Sequence, residues 1–270
     1  MNLINAKYGS IPGLKAYSHV SDRYAPFAIQ IIPATVSEAP YILDGLLMND
    51  TGRRVREHFA DTGGFTDHVF AVCAILGYAF APRIRDLPSK RLHVFNPAAV
   101  PEALRPLVGG KINEPLIERN WPDILRVSAA ISARTITSYP RQNELAVALR
   151  ETGRVERTLF MIDWILDADL RRRVQAGLNK GEAHHALKRA VSFHRRGEIR
   201  DRTSEGQHYR IAGMNLLAAA IIYWNTLKLG EVVGELSATG SLIPAGLLSH
   251  VSPLGWEHVN LTGEYRWQAA

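Results

Sequence analysis

RVREHFADTGGFTDHVFAV, residues 54–72, is the stretch on which the fold turns. Residues 54–60 alternate in polarity and read as a β-strand that ends at Asp61. Thr62-Gly63-Gly64 supplies the small and polar residues of a turn. Thr66-Asp67-His68-Val69-Phe70 opens a helix that closes near Gly77, and residues 78–84 read as the next strand.

Upstream, residues 13–21 and 24–32 read as two strands joined by the turn Ser21-Asp22-Arg23, with Pro26 suited to a strand's edge or start. Ser37 is placed to cap a short helix over residues 41–48. Strand, strand, helix, strand, helix, strand predicts a mixed α/β sheet. Downstream the character changes. Strand signals vanish over residues 101–173, where helical periodicity covers residues 121–133 and 142–165, the latter broken at Gly153. A further amphipathic helix is expected over residues 181–196, with Ala183, Leu187, Ala190, Val191 and Phe193 on one side. Residues 211–229 read as a buried core helix, and residues 230–240 as a glycine-containing connection. No internal repeat appears at solenoid periods.

The 270 residues, 46% of them hydrophobic, allow one large domain or two small ones. A net charge of +6 and a pI near 9.5 suit an anionic partner, without choosing between nucleic acid and a membrane surface. The single cysteine, Cys73, excludes an intrachain disulfide and zinc sites built on paired cysteines; it reads as a buried, inert thiol in a reducing cytoplasm. Residues 1–10 lack the apolar core of a signal peptide. The best membrane candidate, residues 211–229, is interrupted by Gly213, Asn215, Asn225 and Lys228, so a soluble protein is expected.

Three sets of residues carry candidate chemistry. Asp61, at a strand's carboxyl end beside a glycine turn, either faces a ligand crevice or simply caps the turn. Glu182, after Asn179-Lys180-Gly181, either suits the dipole of a helix N-terminus or is a metal ligand. Lys180, Lys188, Arg189, Arg195, Arg196, Arg200, Arg202 and Arg210, with Arg83, Arg85, Lys90 and Arg91, either form a solvated face or hold phosphates. His184-His185 lacks the spacing of a zinc helix, because adjacent residues point to different helix faces. The chain has no phosphate-binding loop of the G-x-x-x-x-G-K-[ST] type and no G-x-S-x-G elbow, so nucleotide hydrolysis and α/β-hydrolase chemistry gain no support.

Taken in order, Asn5-Ala6-Lys7-Tyr8-Gly9, Leu43-Asp44-Gly45-Leu46-Leu47, the run from Asp61 to Phe70, Pro82-Arg83-Ile84-Arg85-Asp86-Leu87, Leu178-Asn179-Lys180-Gly181-Glu182-Ala183, Gly197-Glu198-Ile199-Arg200-Asp201-Arg202, Trp224-Asn225-Thr226 and the run from Ser252 to His258 resemble the C-terminal catalytic region of the class II (Tn-three family) replicative transposases. The resemblance implies a DDE transposase with a ribonuclease-H-like core. Such a core holds two Mg²⁺ ions between three carboxylates, and they activate water and then a DNA 3′-hydroxyl for attack on a phosphodiester. It places the family's second acidic residue on Asp61 and its glutamate on Glu182, with Asp67 and Glu198 as alternatives. It makes Arg83, Arg85, Lys180, Lys188, Arg189, Arg200 and Arg202 the candidate DNA contacts. DNA, as transposon ends and target, is the implied partner, along with further copies of the chain or an intact transposase.

The family's first aspartate lies in a Ser-Ser-Asp-Gly-Gln-like motif upstream of the segment matching residues 5–9, where this sequence has Met1 to Ile4. The expectation is therefore an N-terminally truncated catalytic domain over residues 1–255, with a tail over 256–270. Its ribonuclease-H-like mixed sheet would lack the first, central strand and carry a large all-helical insertion, residues 101–173, before the Glu-bearing helix. Cleavage and strand transfer would be impaired; the alternative is an inactive remnant that binds DNA or an intact transposase.

Overall fold

A computed structural model describes residues 14–49, 54–132, 143–192, 199, 203–241 and 243–263. Contacts divide the chain into two compact units, Met1–Tyr17 with Ile32–Leu178 and Ser18–Ile31 with Asn179–Ala270.

The first unit is built on the opening stretch. Strand β3 (Glu57–Ala60), helix α2 (Asp67–Ile75) and strand β4 (Ala79–Pro82) follow one another, and β3 and β4 pair in parallel from Glu57↔Ala79 to Ala60↔Pro82. A parallel pair needs a crossover, which α2 provides. The Thr66 hydroxyl caps α2 by accepting from the Val69 amide at 3.4 Å, and Asp67 lies in the first turn. Removing this cap with Thr66→Ala is expected to cost about 1 kcal/mol, read from the shift in urea midpoint.

Five consecutive α2 residues, Val69 to Cys73, are buried, as befits a helix enclosed over most of its surface. Helix α1 (Ala39–Leu47) contributes Ile42, Leu43 and Leu46 to this core. Helix α3 (Glu114–Ser132) contributes Leu116, Ile124 and Ile131, and α4 (Glu144–Leu166) contributes Ala148 and Leu149. Cys73 is buried as expected, and burial pushes its thiol up to about 12. Helix α1 starts at Ala39 rather than 41. Ser37 accepts from the Ala39 amide at 3.3 Å, while Glu38 turns away to pair with Lys15 at 3.0 Å.

Gly153 does not break α4, contrary to expectation. A Cβ there would lie 1.7 Å from the Asp67 carbonyl oxygen, so glycine lets α4 touch the start of α2. Helix α5 (Ala168–Val191) is likewise continuous. The expected start at 181 is overturned, and Glu182 sits inside the helix. Gly177 is there because Phe59 packs on it; a Cβ would lie 2.2 Å from the Phe59 ring.

The stretch 101–173 is not all-helical. Strand β6 (Val108–Lys111) pairs in parallel with β5 (Leu92–Val94), with a register shift between Leu92 and His93. The Val-Gly-Gly-Lys sequence of β6 hides it, because two glycines carry no strand signal. A Cβ on Gly109 would lie 2.5 Å from the Arg91 Cβ, so close approach demands glycine there. The third pair is β1 (Leu14–Val20) with β2 (Pro26–Pro33), the hairpin expected, headed by Pro26. Its turn closes through the Ser21 amide to the Ala25 carbonyl at 2.9 Å. The molecule is mixed α/β, but its described strands form three separate two-stranded sheets, not one mixed sheet. Each strand finds its ladder with one neighbour.

In the second unit, α6 (Ser204–Ala238) starts at Thr203, whose hydroxyl accepts from the Gly206 amide at 3.1 Å. Ala218, Ile221 and Ile222 pack on Leu187, Val191 and Leu254. Asn225 donates to the Pro253 and Gly255 carbonyls at 2.8 Å each, which draws Trp256, Val259 and Leu261 onto the same core. A short helix, α7 (Ala245–Leu248), lies between. Two expectations fail here. Helix α6 runs straight through Gly230 and Gly234, so residues 230–240 are not a connection. It is also not a buried core helix, since Leu216 is 72% exposed and Tyr223 66%. Among the described residues one helix, Glu205–Ala238, is long and apolar enough to cross a membrane by length and composition.

Candidate active site

Asp61 follows β3 directly, in extended conformation, at the entrance to the 3₁₀ turn Thr62–Gly64. Gly64 is buried, and a Cβ there would lie 2.7 Å from Ile42 Cδ1, so the turn presses onto α1. The β3–β4 register ends at Ala60↔Pro82, which sets Asp61 beside Arg83 one step beyond. Asp61 Oδ1 accepts from the Thr62 amide at 2.7 Å and from Arg83 Nη2 at 2.9 Å. The capping reading of Asp61 holds, and its side chain is open to water at the strand's end. Its side chain is 60% exposed, so the ion pair contributes no more than about 1 kcal/mol. Oδ2 makes no hydrogen bond among the described residues. That exposed anionic oxygen suits a hard cation.

Asp67, the alternative, is differently placed. Arg157 pairs with it at 2.8 Å and Arg154 approaches at 3.8 Å. Arg154 also pairs with Glu151 at 2.5 Å, and Glu151 accepts from the Asn113 amide at 3.2 Å. Arg157 donates to His93 Nδ1 at 3.0 Å, so His93 is the neutral acceptor; burial, then Arg154 and Arg157, hold its pKa below the ordinary value. Asp67 therefore ties α2 to α4 and is committed to arginines. The three-residue spacing Glu151, Arg154, Arg157 along α4 was the signal in the sequence for this network.

Glu182 is exposed on α5, well inside the helix, and belongs to the second unit; Asp61 belongs to the first. The helix-dipole reading of Glu182 falls with the correction to the start of α5. Among the described residues no three His, Cys, Asp or Glu side chains gather closely enough to hold a metal ion.

The candidate DNA contacts divide by environment. Arg85 and Arg189 are exposed, and Arg83 is held on Asp61. Lys180 donates to the Asp22 carbonyl at 2.7 Å and lies 5.1 Å from the Tyr24 ring centre. Lys188, unlike the other basic residues of α5, is buried and donates to Ser18 Oγ at 3.1 Å. Arg195, Arg196, Glu198, Arg200 and Arg202 lie outside the described residues.

Beside Lys188, His184 is fully buried, with neither ring nitrogen hydrogen-bonded. Burial, then the charges of Lys188 and His185, lower it to about 3. Burial, then Lys188 and Arg189, lower His185 to about 4. Burial lowers Lys188 from 10.5 to about 8. Between about 8 and 10.5 the unfolded chain holds that proton and the folded chain does not, so stability rises with pH across this window. In Lys188→Met the rise from this group is expected to vanish, with no loss of stability at neutral pH, as denaturant midpoints at pH 7, 8 and 10 will show.

The chain is a mixed α/β protein of basic charge with an open carboxylate at the end of a parallel strand. The family model for the Tn3 transposase DDE domain matches residues 1–265, and the chain belongs to this family. It is 50% identical over 276 residues to the transposase for transposon Tn21 of Escherichia coli, covering 99% of this chain and 28% of that protein. It is 51% identical over 274 residues to the transposase for transposon Tn501 of Pseudomonas aeruginosa, covering 98% of this chain and 28% of that protein. The transposase for transposon gamma-delta of Escherichia coli (strain K12) is 34% identical over 271 residues, covering 97% and 27%. The chain thus spans 28% of the length of the first two relatives. No solved structure matches.

Proposed function

We propose that this chain is the catalytic region of a DNA transposase, which cuts DNA strands at transposon ends and joins them to a target. Its membership of the Tn3 transposase DDE domain family supports the reaction class. The observation that carries the site is Asp61, held by Arg83 through one oxygen and open through the other. In this reading Asp61 and Glu182 are ligands of Mg²⁺, which supplies a Lewis acid and an activated oxygen nucleophile when bound. Arg83 holds the Asp61 carboxylate in place and offers its remaining donors to a phosphate. Arg85, Lys180 and Arg189 add sequence-independent contacts to the DNA backbone. The ribonuclease-H-like sheet, with β3, α2 and β4 as a parallel core, belongs to the same reading, as do action in the cytoplasm and association with other transposase chains.

A second reading is DNA binding without cleavage, favoured by the arginine that already neutralises Asp61. The test is to incubate purified chain with transposon-end DNA and Mg²⁺. Nicking that requires the cation supports catalysis. Salt-dependent binding without any nicking supports the second reading. Neither nicking nor binding overturns both.

A further inference from the structure

Glu38 stands at the N-cap of α1 but does not serve the helix. A polar side chain at this position ordinarily accepts from the first free amides, yet Glu38 makes no capping bond. Ser37 accepts from the Ala39 amide instead. The Glu38 carboxylate turns to the loop after β3. There Oε2 lies 3.2 Å from the place a Cβ on Gly63 would take, so it rests on the Thr62–Gly64 turn that Asp61 heads. The other oxygen, Oε1, accepts from Lys15 Nζ at 3.0 Å, and Lys15 also donates to the Val36 carbonyl at 3.1 Å.

Tyr17 reports the same placement. Burial first, then Glu38, Cys73 and Asp61, raise its phenol above the ordinary value, so both carboxylates act on one hydroxyl.

The charges around the turn give Glu38 something to do. Arg83 donates to Asp61 Oδ1 at 2.9 Å, and Lys90 lies 5.5 Å from the ring centre of Phe65, which ends the turn. A divalent cation arriving at Asp61 therefore meets two positive side chains. Glu38 sets a second carboxylate against the same turn, and the Lys15–Glu38 pair presents its negative end there. The pair is mostly enclosed, at 22% and 29% exposed, so its field is screened less than that of a surface pair.

The geometry points to Glu38 as a positioning residue of the Asp61 site: fixed by Lys15, its charge offsets Arg83 and Lys90 and draws a divalent cation onto Asp61. This role rests on the reading of Asp61 as a cation ligand.

Mn²⁺ binding by the purified chain at low salt, followed by electron paramagnetic resonance, tests it. Glu38→Gln keeps the shape and an acceptor for Lys15 but leaves the lysine's charge bare, and is expected to weaken binding about fivefold. Lys15→Met removes the opposing charge and is expected to tighten binding about twofold. Glu38→Asp keeps the charge and should recover most of the loss. All three differences should shrink in about 1 M salt, where charges are screened beyond about 3 Å. A role in the fold alone would move Glu38→Gln and Lys15→Met the same way, and the melting temperature of Glu38→Gln should stay within about 3 °C of the parent. Unchanged binding in Glu38→Gln, or weakening in both variants, overturns the role of Glu38; a loss of binding in Asp61→Ala then leaves the reading of Asp61 standing. Mn²⁺ binding that Asp61→Ala does not reduce overturns both.

Discussion

Asp61→Ala is expected to lower cation-dependent nicking of transposon-end DNA by about three powers of ten while leaving the fold intact. In the proposed site the rate effect follows from removing a ligand to the cation: about 4 kcal/mol of transition-state stabilisation corresponds to about a thousandfold in rate. The fold survives because the side chain is exposed and its partners, the Thr62 amide and Arg83, are also open to water. Surface substitutions of this kind usually stay within about 1 kcal/mol. Binding of Mn²⁺ by the purified protein, read by electron paramagnetic resonance, is expected to weaken in the same variant. Asp67→Ala behaves differently: it strands Arg154 and Arg157 and lowers stability first. An Asp61→Ala protein that nicks as fast as the parent removes Asp61 from the site.

Gly153→Ala carries the largest expected effect on stability, a loss on the order of 3 kcal/mol. The added Cβ would lie 1.7 Å from the Asp67 carbonyl oxygen and 2.4 Å from its carbon, so backbone rather than a flexible side chain must yield. Pushing α4 from α2 also strains the Asp67–Arg157 pair. Gly181→Ala is the control. It lies in α5 with nothing within 4 Å of its Cβ, and should stabilise by roughly 0.5–1 kcal/mol through helix propensity. Urea unfolding of the two variants tests both signs. A Gly153→Ala protein as stable as the parent shows that α4 does not touch the start of α2.

Why one glycine was legible and another not is a matter of range. Gly63 and Gly64 stand in a turn that their own neighbours define, and the turn was readable. Gly153 and Gly177 answer to Asp67 and Phe59, far off in sequence, so Gly153 looked like a helix break and the contact at Gly177 was not readable. Strand β6 was missed for the same reason, since its ladder is supplied by β5 and its residues carry little strand preference of their own. Lys188 was grouped with the basic face around it, because charge runs usually face water. Its partner, Ser18, is 170 residues away.

The sequence by itself determined the run from β3 through α2 to β4 and the place of Asp61 at a strand's end. Alternation, turn residues and the Thr66 cap act over a few positions, so local chemistry suffices. Its ordered motifs also determined the family, to which the chain belongs. Only the tertiary structure decided which carboxylate stands open and which is enclosed, which glycines are points of contact, and that Lys188 is buried. It also left Leu216 and Tyr223 of α6 largely exposed among the described residues. Each of these depends on groups brought together from distant parts of the chain, and pairwise distance in space is not written in spacing along the sequence.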